Sequence, residues 1–99
     1  MAKVYSGQIT VTTAGTAVQG TSTPNYTGFF IRALSGNTGN VYIGNDGAGD
    51  VTSANGYELA PGDQIYIEVP NLSDLWFDAA TNGDKFSWLA GAVISVRYL

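Results

Sequence analysis

Residues 40–69 limit what this chain can fold into more than any other stretch. Val41-Tyr42-Ile43 and Gln64-Ile65-Tyr66-Ile67-Glu68-Val69 repeat with period two. Successive side chains of a strand point to opposite faces, so this alternation predicts two half-buried strands. It places Val41, Ile43, Ile65, Ile67 and Val69 inward, and Tyr42, Gln64, Tyr66 and Glu68 outward. Between the runs lies a loop rich in Gly, Asn, Asp and Ser, closed by Pro61-Gly62-Asp63. Proline fixes its own φ and glycine accepts a positive one, so Pro61-Gly62 suits the centre of a type II turn.

The remaining chain repeats this grammar. Val4–Thr13 reads as a first strand, with Ile9 and Val11 alternating against Gln8, Thr10 and Thr12. After an Ala14-Gly15 turn, Thr16–Thr21 reads as a short partner strand around Val18. Pro24 cannot donate to a ladder, so Ser22–Asn25 reads as a loop. Tyr26–Leu34 follows, with Phe29, Ile31 and Ala33 on one side and Phe30, Arg32 and Leu34 on the other, a strand expected to be covered on both faces. Leu75–Ala79 sends Leu75 and Phe77 inward and Trp76 and Asp78 outward; the alternative for Ser73–Phe77 is a single helical turn. Asn82-Gly83 reads as a hairpin turn. Phe86–Ala90 directs Phe86 and Trp88 inward, and Val93–Leu99 alternates once more. Seven or eight short strands with turn signals every 8–12 residues form the pattern of an antiparallel sandwich or barrel. No stretch sustains a helical period.

Ninety-nine residues make one domain, residues 1–99, able to bury roughly two-thirds of its unfolded surface. Only 12% of residues are charged, about half the usual share. Net charge is −4, and the four basic residues, Lys3, Arg32, Lys85 and Arg97, are scattered. Phosphate-backbone affinity needs several cations on one face, so neither nucleic acid nor an anionic membrane surface is an expected partner. The start, Met1–Gly7, lacks the apolar run of a signal peptide, and no window reaches the length of a membrane span. Synthesis and first use in a cytoplasm is the expectation.

The chain contains neither His nor Cys. Ser-His-Asp and Cys-His constellations are therefore impossible, as are disulfides and thiolate metal sites. Glu58 with Asp63 or Glu68 offers a carboxylate pair of the kind that hydrolyses glycosides. Acidic residues beside turns also cap backbone, and that is the preferred reading. Asn45–Asp50 gathers oxygen ligands suited to calcium, but it lacks the third acid and the distal Glu of an EF-hand. No enzyme activity, cofactor or metal is expected. Asn25-Tyr26-Thr27 and Asn71-Leu72-Ser73 match the glycosylation pattern, read as accidental in the absence of a secretion signal.

Aromatics supply the informative surface. Alternation that buries Val41, Ile43, Ile65, Ile67, Leu75 and Phe77 turns Tyr42, Tyr66 and Trp76 outward. Such residues are enriched where a surface meets a partner. The other reading is that loops cover them or that they pair across strands. Residues 1–5 are a candidate extended arm. Val4 and Tyr5 within it join Tyr42, Tyr66 and Trp76 as the candidate interface.

Four stretches, Ala33–Asp46, Ser53–Asp63, Asn71–Ala79 and Phe86–Ala90, resemble the small all-β virion proteins of tailed bacteriophages. The resemblance spans roughly residues 8–90 and leaves Gly91–Leu99 outside it. It implies a jelly-roll-like sandwich acting as a capsid decoration, or cement, protein. Such a protein is made in the host cytoplasm and sits on the outer surface of the virion head. It binds the major capsid protein, commonly as a homotrimer, and stabilises contacts between capsid subunits. Two alternatives stay open: a tail or fibre component that contacts the host surface, and a small carbohydrate-binding module with Tyr42, Tyr66 and Trp76 as its stacking platform.

Overall fold

Among the described residues, eight strands pair in four nested antiparallel couples. The computed structural model describes residues 4–24, 28–44 and 51–91. Within them lie β1 (Val4–Thr10), β2 (Val18–Gln19), β3 (Phe29–Ala33), β4 (Val41–Ile43), β5 (Tyr57–Leu59), β6 (Gln64–Ile67), β7 (Trp76–Ala79) and β8 (Lys85–Gly91). β4 pairs with β5, β3 with β6, β2 with β7 and β1 with β8. Lateral pairs β3–β8 and β4–β7 gather these into two sheets, ordered β1-β8-β3-β6 and β2-β7-β4-β5. This nesting is the strand order of a jelly roll. The chain is an all-β sandwich, as the alternation predicts.

The core lies between the sheets. Val11, Phe29, Ile31, Val41, Phe77 and Phe86 are fully enclosed. Phe77 of one sheet meets Phe86 of the other with ring centroids 4.6 Å apart. Each such side chain contributes roughly 1.5–3 kcal/mol through burial. Ile65, Ile67, Val69 and Trp88 pack against this cluster while staying partly exposed.

Turns behave locally as their sequences require, but apart from β4 and β5 every two successive strands among the described residues lie in different sheets. Gly62 takes φ +90° and Asp63 N–H donates to the Ala60 carbonyl at 2.9 Å, closing the Pro61-Gly62 turn. It passes the chain from β5 in one sheet to β6 in the other. The expected hairpin at Asn82-Gly83 is likewise a corner between sheets. Gly83 does have positive φ, +84°, yet its N–H donates to the Val11 carbonyl, and β7 and β8 have no ladder in common. Turn residues specify a reversal, whereas long-range pairing selects the partner. For the same reason β2 pairs with β7 and not with the strand before it.

Other boundaries move for identifiable reasons. The first strand ends at Thr10, and the third spans Phe29–Ala33. A 3₁₀ turn, Leu72–Asp74, precedes β7, so both readings of that region hold in part. Asn71 caps this turn by accepting from Ser73 N–H and Ser73 Oγ, and its Oδ1 also accepts from Thr23 N–H at 2.9 Å. β3 is not covered on both faces: Phe29, Ile31 and Ala33 are buried, but Arg32 is exposed. The segments Met1–Lys3, Asn25–Thr27, Asn45–Asp50 and Ala92–Leu99 lie outside the described residues. With them go the start of the expected third strand, the Asn25 glycosylation match, the calcium-loop reading and the strand expected over Val93–Leu99.

Candidate binding face

Register across β1-β8-β3-β6 aligns outward side chains into rows. Ser6 lies opposite Leu89, Leu89 opposite Phe30, and Phe30 opposite Tyr66. The next outward row is Gln8, Ser87, Arg32 and Gln64. An apolar and aromatic row over β8, β3 and β6 thus runs beside a polar row that crosses the whole sheet. The Phe30 and Tyr66 rings pack with centroids 4.8 Å apart and planes at 54°, the tilted arrangement that aromatic quadrupoles favour. A shallow depression of about 430 Å³ lies over the rows, lined among others by Gln8, Phe30, Arg32, Gln64, Ser87 and Leu89. Arg32 also borders two further depressions, beside Leu34–Asn37 and beside Gly62–Gln64.

Charge separates between the sheets. The strands of β1-β8-β3-β6 carry Arg32 and Lys85 and no acid, whereas those of β2-β7-β4-β5 carry Glu58 and Asp78 and no base. A net charge of −4 therefore conceals one outer face whose strand charges are all positive.

On the opposite outer face Asp78 and Tyr42 lie covered, while Glu58 at the edge stays exposed. Asp78, Tyr42 and Glu58 form the central row of that face. Tyr42 points outward from its sheet, as alternation requires, yet only 7% of it is exposed. The loop of residues 51–56 covers it: a Cβ on Gly56 would stand 2.7 Å from both Tyr42 Cβ and Val51 Cγ2. Tyr42 Oη donates to Glu58 Oε2 at 3.4 Å, and Asn40 Nδ2 donates to the same oxygen at 2.9 Å. Burial first, and then the Glu58 and Asp78 carboxylates, push the Tyr42 phenol above its ordinary value of 10.0.

The expected site residues divide accordingly. Val4, Tyr5 and Tyr66 are exposed, at 63%, 49% and 40%. Tyr42 is not an exposed contact residue, because a loop covers it. Trp76 faces outward while Phe77 faces the core, so the register there is correct, but Trp76 is half-buried and its indole nitrogen is wholly out of solvent. Tyr66 lies on one sheet and Tyr42 and Trp76 on the other, so these three do not form one stacking platform.

The carboxylate candidates separate too. Asp63 Oδ2 accepts from Ala60 N–H at 3.0 Å, capping the Pro61-Gly62 turn. Glu58 belongs to β5, and Glu68 follows β6 in the other sheet. Among the described residues no group of three His, Cys, Asp or Glu side chains could hold a metal ion. Nor is any helix there long and apolar enough to cross a membrane.

Two features escaped the sequence reading. Phe30 and Leu89 become neighbours of Tyr66 only through pairing, although alternation already put Phe30 opposite to Phe29 and Ile31. Tyr57 is 59% exposed even though its parity matches buried Leu59, because it stands at the start of edge strand β5.

No protein-family model matches the chain, and no curated protein matches it. Among solved structures it is similar to a chain from "Bacillus endospore appendages form a novel family of disulfide-linked pili". The two are 13% identical, the likeness covers 96% of this chain and 88% of that one, and the TM-score is 0.45.

Proposed function

We propose that this chain is a structural protein of a bacteriophage virion, a capsid decoration protein that docks on the outer head surface through the open face of β1-β8-β3-β6. The observation that carries the docking face is the outward row Leu89–Phe30–Tyr66 beside Arg32 and Gln64. Aromatic and apolar residues flanked by arginine are the composition of energetic centres in interfaces. The fitting partner is a capsid subunit that presents an apolar patch with a carboxylate for Arg32. The resemblance to small phage virion proteins supplies the viral context. Self-association belongs to the same reading, since repeated binding on a symmetric shell multiplies weak contacts through avidity.

Co-sedimentation with expanded empty heads tests the docking face. Phe30→Ala, Tyr66→Ala and Arg32→Glu should each weaken binding by about tenfold or more. Thr52→Ala, on the loop side of the sandwich, should leave it unchanged. Equal occupancy for all four variants would place the contact elsewhere.

One observation favours a second reading. The Phe30–Tyr66 pair stands beside Gln8, Arg32 and Gln64, and planar polar groups next to an aromatic surface are what a carbohydrate ligand requires. In that case the same variants lose glycan binding, and the wild-type chain has no affinity for heads.

A further inference from the structure

We infer that two copies of this chain associate through β1, antiparallel about a twofold axis at Gly7, to form one continuous eight-stranded sheet. This deepens the self-association in the proposed reading and replaces the threefold arrangement implied by resemblance with a twofold one. β1 is the edge of its sheet, and apart from its ladder with β8 the backbone of Val4–Thr10 makes no hydrogen bond among the described residues. The other three edges are short: β2 has two residues, β5 three and β6 four. Pro61 closely follows β5, while Glu68 and Pro70 follow β6. Charge, proline and brevity are the devices that keep edges from pairing. β1 has seven residues and carries neither charge nor proline.

The sequence of β1 complements itself. A twofold axis perpendicular to the sheet keeps each face on its own side, so opposed residues must share parity. Only the register centred on Gly7 uses all seven residues. It sets Val4 against Thr10 of the second copy, Tyr5 against Ile9, Ser6 against Gln8, and Gly7 against Gly7. Tyr5 and Ile9 form an aromatic and β-branched pair, a favoured combination across strands. That pairing gives the half-exposed Tyr5 ring an apolar neighbour. At the axis Gly7 leaves room that the Trp88 indole fills, since a Cβ there would lie 2.8 Å from Trp88 Nε1. The two indoles reach the shared edge from both sides. Because the axis is perpendicular to the sheet, both Phe30–Tyr66 rows face the same way, so the pair presents a bivalent docking face.

Charges placed at the exposed positions Ser6 and Gln8 test the register without touching the core. Ser6→Lys with Gln8→Lys puts like charges opposite each other twice, and the dimer dissociation constant should rise by about tenfold. Ser6→Lys with Gln8→Glu puts opposite charges there, and the constant should fall or hold. Sedimentation equilibrium reads both variants against the wild type, whose mass should approach twice the 10.4 kDa of the chain. Circular dichroism verifies that the variants fold. A wild-type monomer at high micromolar concentration, a trimer mass, or equal shifts for the two variants would overturn the inference. Head binding is measured separately on the wild-type chain, so absence of docking with an intact dimer identifies failure of the docking reading alone.

Discussion

Asp78 on β7 holds Gly15 against the outside of its sheet: Asp78 Oδ1 accepts from Gly15 N–H at 2.9 Å across 63 residues of sequence. The same oxygen accepts from Ala79 N–H at 2.8 Å, and the side chain is 2% exposed. Beside it, Ala14 N–H donates to Asn82 Oδ1 at 2.7 Å. The 13–16 turn is thereby fixed on one outer face of the sandwich. Together with the loop over Tyr42, it leaves the opposite face as the open one.

Replacing Asp78 should therefore unfasten that turn. Asp78→Ala removes a buried acceptor from two N–H groups, and a loss of about 2–3 kcal/mol is expected. For a domain of this size that lowers the melting temperature by roughly 10 °C or more. Asp78→Asn keeps an Oδ1 able to accept both bonds and should retain most of the stability. Thermal melts of the three proteins decide the matter. An alanine variant as stable as wild type would show that the turn is held by other means.

Gly56 permits the close approach of the 51–56 loop to Tyr42. Gly56→Ala places a methyl group 2.7 Å from two carbon atoms, and overpacking of that kind costs about 1–3 kcal/mol. The loop should lift, so that Tyr42 becomes accessible to nitration while the sandwich stays folded. Wild-type stability with Tyr42 still protected would disprove the tight seating of the loop.

Tyr42 should also mark the alkaline limit of stability. A phenol whose pKa is raised in the folded chain holds its proton more tightly there than in the unfolded chain. Its contribution is complete below 10.0 and is lost as pH climbs through the raised value. Tyr42→Phe should change stability at pH 7 by less than about 1 kcal/mol, because the hydrogen bond lost is long. Above pH 10 the variant should lose stability less steeply than wild type. Parallel pH profiles in urea titrations would rule out this role.

Much of the strand grammar was legible in the sequence. Alternation correctly separated Val41 and Ile43 from Tyr42, Phe77 from Trp76, and Phe29 and Ile31 from Phe30. Pro61-Gly62 announced its turn. These features are set by the backbone of a few neighbouring residues, whose side chains must alternate and whose φ values are restricted.

Only the tertiary structure decided which outward residues meet solvent. Tyr42 and Tyr66 have the same alternating context, yet one lies beneath a loop and the other stands on an open face. Asn82-Gly83 has the residues of a hairpin, yet it turns a corner between sheets. Period two states the side of a sheet to which a residue points, but not what lies above that side. Coverage is determined by segments distant in sequence, such as the turn that Asp78 anchors, and no local pattern records them. The row of Leu89, Phe30 and Tyr66 depends on the same kind of information, because three separate strands bring it together through their register.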